Sequence, residues 1–103
     1  MIQVSKFEMH SGADRNAFGN AAYAVCKAAK ASSGVSDAKY FWINPNLIAL
    51  MIDADPAAWG PGSQPSAEAM KASFSLSDLS TQVANETWMG AGAGTENFNL
   101  AQQ

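Results

Sequence analysis

The chain has 103 residues, 9 acidic against 6 basic side chains, one His, one Cys and a net charge of −3. That length suits one domain, residues 1–103; a lone Cys rules out an internal disulfide, and Cys26 with His10 alone makes no structural zinc site. Six scattered bases in an acidic chain argue against a nucleic-acid partner, and no run of about 18 apolar residues is present to span a membrane.

The first residues, Met1-Ile2-Gln3-Val4-Ser5-Lys6, alternate like a strand and lack the basic start and apolar core of a signal peptide, so a cytoplasmic location is expected. Over Ile2–His10 one parity carries Gln3, Ser5, Phe7 and Met9, the other Ile2, Val4, Lys6, Glu8 and His10. Neither set is cleanly polar or apolar, which predicts a strand covered on both sides. Ser11 and Asp14 are two N-cap candidates for a helix predicted to run to about Ser32 or Ser33 and to stop at Gly34. Phe18, Ala22, Val25 and Ala29 form its buried seam, with Cys26 on the flank as a buried, inert thiol.

Val35–Ile43 and Leu47–Asp53 read as a β-hairpin around the turn Asn44-Pro45-Asn46. The second run is apolar throughout, as a strand inside a two-sided sheet would be. Asp55–Pro65, with three prolines and two glycines, reads as a loop. A second helical region begins at Ser66, with a break near Ser75–Ser77 and a further helix from Ser77 or Asp78 to Gly90. Thr95–Leu100 is expected to be the last strand.

The predicted order is therefore strand, helix, strand, strand, helix, strand. This is the α+β, ferredoxin-like split βαβ arrangement, a four-stranded antiparallel sheet with both helices on one face. The strands are apolar or mixed on both sides, so the second face calls for a partner, and a second copy of the chain is the simplest one. Leu, Ile, Val and Phe supply only 18 residues, against 20 Ala, so a monomer would have a thin core. With the central run Leu47–Ile52 leading into Asp53-Ala54-Asp55-Pro56 and Trp59, the chain resembles the dimeric α/β-barrel superfamily, which includes antibiotic-biosynthesis monooxygenase-like domains. The resemblance implies a homodimer whose protomers each hold a small aromatic or apolar compound between sheet and helices, with oxidation of that compound without metal or flavin as one activity. Some relatives bind haem through a histidine of the second helical region; residues 66–90 contain none, and no cofactor is expected.

His10 is the one candidate catalytic residue, a general base or donor at the end of the first strand. Lys6 and Glu8 share its strand face and form a polar stripe that calls for water or a ligand, or for mutual ion pairing. Tyr40 and Trp42 share a face of the next strand and are candidate ligand contacts. Trp59, in the Gly/Pro loop, and Phe74, off its helical stripe, are candidate pocket lids; ordinary core filling is the alternative for all four aromatics. Asp53 and Asp55 fit turn chemistry better than acid–base or metal chemistry. The remaining alternative for the whole chain is a non-catalytic dimeric ligand-binding or stress-response module, its pocket filled by its own side chains.

Overall fold

The computed structural model describes residues 1–55, 58 and 66–89. The elements, in order, are β1 (Ile2–Met9), α1 (Arg15–Lys30), β2 (Val35–Asn44), β3 (Leu47–Ala54), α2 (Ala67–Leu79) and β4 (Ser80–Trp88). The four strands form one antiparallel sheet in the order β2-β3-β1-β4. The expected α+β architecture is present, and the arrangement is compatible with the split βαβ fold. No helix of the described residues is long and apolar enough to cross a membrane.

Of the two N-cap candidates the chain uses Asp14, whose Oδ1 accepts the Asn16 amide at 3.2 Å. The buried stripe of α1 is Phe18, Ala21, Ala22, Val25, Cys26 and Ala29, which contains the seam read from the sequence. Its last residue is Lys30, earlier than expected, because Ala31 is the C-cap and donates to the Ala29 and Lys27 carbonyls. Gly34 then makes the turn into β2 at φ +85, a left-handed conformation that other residues rarely adopt. The β2–β3 hairpin turns at Pro45-Asn46, as expected. Arg15 at the start of α1 pins its tip by donating to the Pro45 carbonyl at 2.7 Å and to Asn46 Oδ1 at 3.1 Å.

One expectation fails. Residues 80–88 form a strand rather than the last turns of a helix, so the fourth strand is Ser80–Trp88 and not Thr95–Leu100, which lies outside the described residues. The chain passes from α2 into β4 with no intervening loop. Ser80 is already extended, at φ −154 and ψ 166, while its buried Oγ donates to the Leu76 carbonyl at 2.6 Å. Leu76, Leu79, Val83 and Thr87 fit a helical stripe in sequence, but Thr81, Val83, Thr87 and Trp88 are also good strand formers, and pairing with β1 decides between the two.

Paired residues of neighbouring strands share a face. On the face toward the helices the sheet reads, from β2 to β4, Ala38–Ile52–Gln3–Thr87, then Tyr40–Leu50–Ser5–Asn85, then Trp42–Ile48–Phe7–Gln82. The first two rows run from apolar or aromatic residues on β2 and β3 to amides and hydroxyls on β1 and β4. The core follows that gradient: α1 lies over β2 and β3, where Phe18, Ile48 and Leu76 are fully buried. The other face carries Ile2, Val4, Lys6 and Glu8 of β1, Leu47, Ala49, Met51 and Asp53 of β3, and Lys39 and Phe41 of β2. Both helices pack on the first face, and no described element covers the second.

Candidate functional site

α2 packs chiefly against α1 and reaches the sheet mainly at β4. Beneath it, over the polar half of the sheet, is a cavity of about 220 Å³. Phe7, Val25, Leu50, Ile52 and Leu76 form its apolar walls, and Gln3, Ser5, Ser73, Ser77, Gln82 and Asn85 supply amides and hydroxyls. The cavity exists because the rows run short of bulk on β1 and β4, while α2 turns two serines toward them.

The polar groups are organised around Asn85, whose Oδ1 accepts from Gln3 Nε2 and from Ser5 Oγ, each at 3.2 Å. That leaves the carbonyl Oε1 of Gln3 buried with no hydrogen-bond partner, the one such side-chain atom among the described residues. An orphaned buried acceptor costs about 1–3 kcal/mol, and a ligand or ordered water that donates to it recovers that cost. None of the lining residues is titratable, so the cavity is shaped for hydrogen bonding and apolar contact rather than for proton transfer.

The sequence-predicted residues divide between the two faces. Lys6 and Glu8 lie on the second face, away from the cavity. His10 joins them there: its Nε2 lies 2.9 Å from Oγ1 of Thr81, the residue paired with Glu8. The structure therefore brings Lys6, Glu8 and His10 to one side, but with the sheet between them and the cavity. Tyr40 and Trp42 are on the helix face at its other edge. Tyr40 packs against the core, and Trp42 meets Phe18 edge-on, ring centres 5.7 Å apart, above Gly19 of α1. Phe74 is 63% exposed on α2, and its neighbour Ser73 faces the cavity instead. Trp59 lies outside the described residues. Asp55 serves the turn, its amide donating to Gly34 and its carbonyl accepting from Ala58.

Gln3, Ser5 and Asn85 were not singled out from the sequence. The signal for the first two is two polar residues on the same strand parity as Phe7 and Met9. Asn85 was hidden by the helical reading of its segment.

A second cleft of about 390 Å³ gathers Lys27, Lys30 and Lys39 with Tyr23 and Tyr40 around Cys26. Two of its lysines are engaged by one carboxylate, Asp37, at 3.4 Å each. Partial desolvation works against ionisation of Asp37, but the Ala38 amide and the two ammonium groups hold its carboxyl below the usual range. Burial pushes the Cys26 thiol up to about 11, so it stays protonated near neutrality. This cleft is neutralised from within and lacks an orphaned group. No protein-family model and no curated protein matches the chain.

Proposed function

We propose that the chain is a small-molecule-binding domain of the dimeric α/β-barrel kind, holding one small ring compound between its helices and the polar half of its sheet. The observation that carries this reading is the cavity itself, with an apolar floor and the unpartnered carbonyl of Gln3. Its volume lies between the roughly 150 Å³ that accommodates benzene and the roughly 300 Å³ at which larger ligand pockets begin. Acid–base chemistry on a bound compound would need a titratable group within reach. His10 is across the sheet, so binding rather than monooxygenase-like catalysis is the function the geometry supports.

The same reading makes the protein a homodimer joined through the second sheet face. Ile2, Leu47 and Met51 are half-buried there, and Phe41 and Trp88 are 49% and 48% exposed. A two-fold axis along the strands would lay β2 of one copy over β4 of the other. In the row Lys39–Met51–Val4–Glu86 that operation sets Lys39 against Glu86 of the second copy, with apolar residues between.

A cavity-filling variant tests the binding reading. Ser73→Trp is expected to keep the fold, judged by circular dichroism, and to abolish the saturation-transfer signals that single-ring fragments give with the wild-type protein. Equal signals from the two proteins would place the binding elsewhere.

A further inference from the structure

The chemistry of the cavity narrows its occupant, on the premise that the cavity is a binding site. We infer that the ligand class is an uncharged, single-ring compound carrying a hydrogen-bond donor and an acceptor side by side, as on the edge of a cyclic amide, read by the side-chain amides of Gln3 and Asn85.

Three observations converge on this. First, a charged ligand would leave water for a site with no counter-charge, since none of the lining residues is ionisable. Second, Gln3 Oε1 is buried and accepts nothing, so the occupant must present a donor there. Third, Asn85 spends its carbonyl on Gln3 Nε2 and Ser5 Oγ, which leaves its NH₂ as a donor at the exposed rim and calls for an acceptor on the ligand. Turning both amides over exchanges the two roles and leaves the same demand, one donor beside one acceptor. The rest of the lining is apolar, with Phe7, Leu50 and Leu76 offering a ring face-on and edge contacts. A purely apolar ring of the same size would fill the space and leave the Gln3 carbonyl orphaned.

Calorimetric titration of the intact chain with three matched probes separates the classes: 2-pyridone, which is neutral with adjacent donor and acceptor, benzoate, which is anionic, and toluene, which is apolar. 2-Pyridone is expected to bind at least about tenfold more tightly than either of the others, a ratio in keeping with the worth of one or two neutral hydrogen bonds. Gln3→Leu should bring 2-pyridone and toluene to similar affinity, and Asn85→Leu at the exposed rim should do so in part. Benzoate or toluene binding as tightly as 2-pyridone in the wild type would overturn the ligand class while leaving the binding site standing. No binding of any of the three, at concentrations where the protein is folded, would overturn both.

Discussion

Cys26 shows how one residue's surroundings decide its chemistry. The lone thiol sits on the flank of an alanine-rich helix, 6% exposed, under β2. Burial is the main cause of its raised pKa of about 11; the Lys30 ammonium works the other way, and the Asp37 carboxylate adds to it. Because the folded thiol holds its proton more tightly than the unfolded one, its contribution to stability is complete below about pH 9. That contribution is lost as pH rises toward 11. Native protein is therefore expected to react slowly with iodoacetamide at pH 8. Its urea midpoint should fall between pH 9 and 11 by more than that of Cys26→Ala. Prompt alkylation of the folded protein, or identical pH profiles for the two proteins, would contradict this. At this scale the sequence was informative where a residue's role follows from its own helix: the Phe18, Ala22, Val25, Ala29 seam, the buried Cys26 and the Asp14 cap. It was silent on Gln3, whose role depends on a strand 82 residues away in sequence.

Between elements, the junction of α2 and β4 is where the reading of the sequence failed, for a physical reason. Helices are recognised to end at Gly, Pro or a polar cluster, and this one ends at Leu79 directly before an extended serine. The helix terminus is satisfied from the strand side, by the buried hydroxyl of Ser80 on the Leu76 carbonyl and by the His10 amide on the Leu79 carbonyl at 2.9 Å. Ser80→Ala deprives the first of these carbonyls of its partner and is expected to cost about 1–2 kcal/mol in denaturant unfolding. An unchanged midpoint would show that the junction holds without it. The hairpin, by contrast, was legible because Asn44-Pro45-Asn46 combines turn residues with apolar runs on both sides, and its register places Trp42 opposite Ile48. The bulge in β4 opposite Lys6 and Phe7 has no sequence mark beyond Val83 falling out of step.

For the whole molecule, the account assigns the two faces of one sheet to two tasks. The helix face grades from a packed aromatic half to a polar half with a cavity, and the second face is left for a second copy. The sequence showed that β3 is apolar on both sides but could not say which side meets the helices; the register assigns Ile48, Leu50 and Ile52 to them and Leu47, Ala49 and Met51 to the second face. Met51→Lys puts a charge in the middle of that face, beside Val4 and Lys39. Sedimentation equilibrium at micromolar concentration should give twice the 10.8 kDa chain mass for the wild type and a lower, concentration-dependent mass, with reduced stability, for the variant. A wild type that sediments as a compact 10.8 kDa monomer would remove the dimer from the account.

The division of labour between the faces is tested most directly by a protein-observed chemical-shift map recorded while 2-pyridone is titrated into isotopically labelled protein. The account predicts that the largest shifts fall on the backbone and side-chain amides of Gln3, Ser5, Ser73 and Asn85, with Lys6, Glu8 and His10 unmoved at saturation. Shifts centred on Lys6, Glu8 and His10, with the Gln3 and Asn85 side-chain amides unchanged, would contradict it.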